Sequence, residues 1–200
     1  MELFSIIKEM VRLTATHSVR SNKRMLYFHE AIGKLIIQWN PLLSYKIEYN
    51  IDTALGTYRV DIAIFVMNTN KVIAFIPVKC DMCNINQNFT NNQNSKMGEI
   101  RKMNAAFPDA RIFTLNIYPK EAPYYTKTNT IKHIEKYNSE EIIRKARETV
   151  KMARDGKNDD AFVFFVNNIY KSKNDIECTS IADFSDLDRF KKTIEELVLV

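Results

Sequence analysis

Only four glycines occur in the 200 residues, and none stands in a Gly-rich phosphate loop, which argues against nucleotide-dependent chemistry of the P-loop or dinucleotide kind. The three cysteines, Cys80, Cys83 and Cys178, are odd in number and too few for a disulfide framework, so an intracellular, reducing compartment is expected: cytoplasmic, or nuclear in a eukaryotic or viral setting. Cys80-x-x-Cys83 is half of a zinc site at best, because the remaining cysteine is distant and no histidine is near. The three histidines, His17, His29 and His133, are scattered, and no Ser or Cys motif supports a triad. His29 adjoins Glu30 but faces differently on a helix, so it reads as a core or surface residue. No signal-like or membrane-length apolar run is present, and no membrane partner is expected.

What the chain does have is ordinary for a soluble globular protein: 46% apolar residues, 26% charged residues and a net charge of +5. Its length fits one domain with a real core. Leu3, Ile6, Ile7, Met10, Val11 and Leu13 recur at helical spacing, predicting a helix over residues 2–15. Ser21 or Asn22 can cap a second helix, with Leu26, Ile32, Leu35, Ile36 and Trp39 inward, which Pro41 stops. Tyr45, Ile47, Tyr49 and Ile51 alternate as in a half-buried strand, and turns at Leu55-Gly56 and Asn68-Thr69-Asn70 separate the strands Tyr58 to Met67 and Val72 to Lys79. After a polar segment reaching Ser95, Met97, Ile100, Met103 and Ala106 mark a helix, and Ile112 to Ile117 a strand ending at Pro119.

That order predicts an α/β fold: a mixed central sheet flanked by helices, whose last core strand lies parallel to its neighbour through a right-handed helical crossover. The core spans about residues 21–119, and a mainly helical C-terminal part is expected over about 120–200 within one domain. Glu140 to Arg154 and Asp186 to Leu199 read as helices there, and Ala161 to Tyr170 is ambiguous between strand and helix.

Two charges stand where packing gives no reason for them. Asp61 interrupts the apolar strand Tyr58 to Met67, and Lys79 closes Val72 to Lys79. Each is costly to bury alone, so a shared metal ion and anion is the economical explanation. An acid on one strand and a lysine closing the next, preceded by Glu30 on a helix, resembles the PD-(D/E)XK nuclease superfamily over roughly residues 26–119. The family places Asp or Glu two positions before the lysine, where this chain has Pro77, and proline before the first acid, where it has Val60.

The resemblance implies a metal-dependent endonuclease using Mg2+ or Mn2+, acting on DNA ahead of RNA, with Asp61, Lys79 and Glu30 as catalytic residues. Asp61 would hold the metal with a second carboxylate. Asp81, on the side of the strand shared by Pro77 and Lys79, is one candidate, and Glu99 on the following helix is the other. Lys79 would contact the scissile phosphate and the attacking water. A restriction-type role would imply a homodimer. The amide-rich tract Asn84 to Ser95 reads either as a flexible surface loop or as a base-reading segment, with Gln93, Asn94, Lys96, Arg101 and Lys102 as nucleic-acid contacts. Three alternatives stay open: a structural Asp61–Lys79 ion pair, a nuclease-fold domain that binds nucleic acid or protein without cutting, and a purely structural α/β subunit.

Overall fold

The computed structural model describes residues 3–17, 22–54, 56–154, 160–183 and 185–197, apart from the side chains at positions 87 and 88. Two helices, α1 (Leu3–His17) and α2 (Asn22–Trp39), precede the antiparallel strands β1 (Leu43–Thr53), β2 (Gly56–Val66) and β3 (Val72–Ile76). A short strand β4 (Val78–Cys80), helix α3 (Ile85–Ala106) and strand β5 (Arg111–Pro119) follow, then the hairpin β6 (Glu121–Tyr125) and β7 (Ile131–Lys136). Helix α4 (Ser139–Ala153), strands β8 (Asp160–Tyr170) and β9 (Ile176–Ile181) and helix α5 (Ser185–Glu195) complete the chain. Ser21 lies outside the described residues.

The central sheet runs β1-β2-β3-β5-β8-β9, with β4 extending the line of β3 beside β5. β3, β4 and β8 lie parallel to β5, while β8 and β9 are antiparallel. The sheet is therefore mixed, and the strand after α3 is parallel to its neighbour as the crossover requires. Two apolar clusters cover its faces. One joins α1, α2 and α5 to Ile62, Ile64, Phe113, Leu115, Phe162 and Phe164. The other joins α3 and α4 to Ala63, Phe75, Ile112, Val163 and Phe165. Alternate residues of one strand feed opposite clusters, which follows from the two-residue period of a pleated chain.

Helix α2 buries Ile32, Leu35 and Ile36 as its spacing predicts, but Leu26, expected inward, is exposed because Phe28 and His29 take the inward face of that turn. The helix also lies at unusually close range to β1. A Cβ on Gly33 would stand 2.3 Å from the Tyr45 ring, so only glycine lets α2 lie against β1 there. In α4, Asn138 caps the first turn by accepting a hydrogen bond from the Glu141 N–H at 3.2 Å.

Three expectations fail. Val72 to Lys79 is not one strand: Pro77 separates β3 from β4, because it has no N–H to offer the ladder. The Asn84 to Ser95 tract is not a loop: Ile85 opens α3, whose apolar stripe begins with Ile85 and Phe89, with the amide of Gln93 buried further along it and Asn91 and Asn94 exposed. The part after residue 120 is not mainly helical, since it contributes β8 and β9 to the main sheet and the β6-β7 hairpin. The ambiguous segment is β8, flanked by strands and covered on both faces, so residues 161–166 are all buried. Full burial of each phenylalanine contributes about 1.5–3 kcal/mol, far more than any propensity difference between the alternatives. Among the described residues, no helix is long and apolar enough to cross a membrane.

Candidate metal centre and cleft

The break at Pro77 organises the site. β2 and β3 pair as far as Ile62 opposite Ile76, and beyond that point the Val78 N–H donates to Asp61 Oδ2 at 2.6 Å instead of to a strand carbonyl. β4 then pairs with β5, bringing Lys79 level with Asn116. Asp61 and Lys79 line one cleft of about 280 Å³ between the sheet and α3, together with Glu48, Tyr58, Lys96 and Glu99. They are not ion-paired, so Asp61 is not held in place as half of a structural pair with Lys79.

Glu48 lies across β1 from Asp61, between the register pairs Ile47 with Ile62 and Tyr49 with Val60. Its backbone is left-handed, with φ of 49°. A non-glycine residue in that region costs on the order of 1–3 kcal/mol and persists only where the surroundings impose it. The distortion reaches β2, where Val60 and Ala63, three residues apart, pack into the same cluster. Alternation therefore slips once beside Asp61, turning its carboxylate toward α2.

From α2, His29 meets both acids. Its Nδ1 lies 2.9 Å from Glu48 Oε1, to which an Nδ1–H donates, and its Nε2 lies 3.9 Å from Asp61 Oδ1. Nε2 is buried and has no hydrogen-bond partner. A metal-bound histidine ordinarily donates its other ring N–H to a carboxylate, carbonyl or water, and Glu48 stands where Nδ1 can do so. One ligand atom from each of His29, Glu48 and Asp61 lies within 4.8 Å of the other two. The donor set and the orphaned nitrogen fit a divalent cation.

The electrostatics favour a cation as well. Burial raises the Asp61 pKa, and the carboxylates of Glu48 and Glu99 add to that, against lowering by His29 and the Val78 N–H. Arg59 answers Glu48 at 2.9 Å from an exposed position. Burial brings Lys96 down to about 8, with Lys79 lowering it further and Asp81 and Glu99 opposing. Burial and the charge of Glu99 push the Tyr58 hydroxyl upward.

The remaining residues singled out in the sequence divide. Glu30 does not line the cleft: it accepts from the Tyr45 hydroxyl at 2.9 Å and pairs with Lys34 on the outer side of α2, and its neighbour His29 turns inward instead. Asp81 stands beyond β4 and accepts from Asn92 at 2.9 Å, and it is absent from the three-residue cluster. Glu99 lines the cleft and accepts from Ser95 at 3.2 Å, also outside that cluster. Gln93 is buried and accepts from the Thr149 hydroxyl at 2.9 Å, so it packs α3 against α4 and presents nothing to a nucleic acid. Asn94 and Arg101 are exposed on α3, and Lys102 lies 5.6 Å from the Tyr58 ring centre beside the cleft. Lys96 is buried, yet it borders the cleft. Glu48 and His29 are the residues that sequence reasoning missed, the first hidden in an alternating strand and the second taken for a core or surface residue.

Comparison with family models, with curated proteins and with solved structures finds no match to this chain.

Proposed function

We propose that this protein is a divalent-metal-dependent phosphodiester hydrolase acting on nucleic acid, an endonuclease of the PD-(D/E)XK type. The observation that carries the reading is the convergence of His29 Nε2, Glu48 and Asp61 at the edge of the cleft that also holds Lys79. Glu48, offered by a strained turn of β1, takes the place of the acid that Pro77 removes. When bound, the cation supplies Lewis-acid polarisation of a phosphate oxygen and activation of water. The imidazole donor makes Mn2+ a better occupant than Mg2+, which prefers an all-oxygen shell.

The chain's own residues do the rest. Asp61 keeps Oδ1 for the cation because the Val78 N–H occupies Oδ2. Glu48 holds His29 in the tautomer that presents Nε2. Lys79, from the strand end opposite, gives its ammonium to a non-bridging phosphate oxygen and stabilises the charge that grows as water attacks. The walls formed by Tyr58 and α3 half-close the cleft and strengthen each of these contacts relative to open solvent.

A second reading has its own observation. The Val78 N–H bond gives Asp61 a structural task at the Pro77 break, as expected of a nuclease-fold domain that binds nucleic acid or protein without cutting. Cleavage of plasmid, single-stranded DNA and RNA with Mn2+ and Mg2+ separates the two. Metal-dependent products that disappear in Asp61→Asn and Glu48→Gln support the hydrolase, and binding with no cleavage under any divalent metal refutes it.

A further inference from the structure

We propose that Lys96 and Lys79 form a two-lysine clamp for a single phosphodiester, with Asn116 as the residue that positions Lys96. The proposal rests on the hydrolase reading above and names how that cleft grips its substrate.

Lys96 occupies the inward stripe of α3, between the buried Gln93 and Ile100, where an apolar residue would pack without cost. Only 4% of it is exposed. An ammonium is expensive to bury unless compensated, and a lysine kept for structure is ordinarily given a carboxylate. Here Nζ donates to the neutral Asn116 Oδ1. Asn116 is itself a fully buried amide in the apolar strand β5. Its Nδ2 donates to Thr114 Oγ1 at 3.1 Å and to the Phe162 carbonyl at 3.2 Å, so the amide cannot turn and its oxygen is aimed at Lys96. Interior hydrogen bonds from two strands thus fix the direction of one carbonyl, and the carbonyl fixes one ammonium.

That ammonium has a neighbour of the same sign. Asn116 is the register partner of Lys79 in the sheet, so Lys96, reaching Asn116 from α3, and Lys79 beside it on β4 both line the cleft. The charged groups around Lys96 are Lys79 on β4, Asp81 just beyond it and Glu99 one turn along α3. Asp81 already accepts from Asn92, and Glu99 from Ser95. The like charges of Lys79 and Lys96 oppose each other. The Asp81 carboxylate acts on both without forming an ion pair with either, so the cleft keeps room for a second anion between the two ammonium groups. A phosphodiester brings one negative charge and two non-bridging oxygens, one for each lysine.

The test is affinity for a hexathymidylate strand in EDTA, followed by NMR, with a parallel Mn2+ cleavage assay on the same preparations. Lys96→Gln, which keeps a hydrogen bond to Asn116, is expected to weaken binding about tenfold, the loss expected for one charge-assisted contact. Asn116→Asp, which pairs Lys96 with a carboxylate, should weaken it comparably, with the amide spectrum of the same sample reporting whether loss of the Nδ2 bonds to Thr114 and Phe162 disturbs the fold. Wild-type affinity should hold up to about pH 8 and then fall as Lys96 discharges, and the Lys96→Gln protein should lack that fall. Wild-type affinity in Lys96→Gln, or a pH response unchanged by that substitution, overturns the clamp. Loss of cleavage with the clamp's binding signature intact would sink the hydrolase reading instead, so the two failures are distinguishable.

Discussion

Replacing Glu48 by Gln separates its chemical role from its structural one. The amide oxygen can still accept from His29 Nδ1, now at 2.9 Å from a carboxylate, so the fold should survive. A hydrogen bond to a charged acceptor contributes about 1 kcal/mol more than a neutral one, and the exposed Arg59 pair adds at most about that again. Metal-free protein should therefore melt only about 2–8 °C lower, at roughly 2–4 °C per kcal/mol for a chain of this size. The effect on metal is larger in proportion. At Mn2+ one hundred times the wild-type Kd, binding stabilises the native state by about 2.7 kcal/mol, a rise of roughly 5–11 °C. A loss of 10–100-fold in affinity reduces that to about 0.4–1.4 kcal/mol, and the rise to roughly 1–6 °C. Thermal melting with and without Mn2+, on both proteins at one pH, reads both numbers. An equal Mn2+-induced rise in the two would show that Glu48 does not hold the cation.

Other expectations follow from the same geometry. Because burial raises the Asp61 pKa, the folded protein binds that proton more tightly than the unfolded chain, so stability falls as pH climbs above the ordinary aspartate value. Asp61→Asn should thus melt above the wild type at pH 7 without metal, and should lose the Mn2+-induced rise; a lower metal-free melting temperature would contradict this. Lys79→Met should lower the cleavage rate by about 10²–10³-fold with little change in melting temperature, measured by single-turnover kinetics. Gly33→Ala, whose Cβ would meet the Tyr45 ring at 2.3 Å, should cost about 1–3 kcal/mol in denaturant titration, and β1 would carry Glu48 away from His29.

Periodicity made the first two helices and β1 legible, and β2, β3 and β5 showed as apolar runs bounded by turn residues because the sheet is covered on both faces there. It failed where a segment carries no continuous apolar stripe of its own. Residues 131–136 are mostly exposed and charged, so nothing in them announces that they pair with β6. The amide-rich start of α3 hid its helix because Gln93 and Lys96 stand at inward positions normally filled by apolar side chains.

The site was half legible. Asp61 and Lys79 stood out because charges in apolar strands have no local explanation, and Asn116 in RIFTLNIYP carries the same kind of signal. Glu48 gave none, since a polar residue between Ile47 and Tyr49 is what a half-buried strand requires. Only the left-handed backbone and the position opposite Asp61 set it apart. Glu30 was the visible acid of α2, but the helical phase turns His29 to the sheet instead.

Anomalous diffraction from crystals soaked in Mn2+ tests the central claim most directly. The account predicts a single strong peak within bonding distance of Asp61 Oδ1 and His29 Nε2 and beside Glu48, facing Lys79 across the cleft. A peak elsewhere, or none at Mn2+ concentrations that raise the melting temperature, would contradict it.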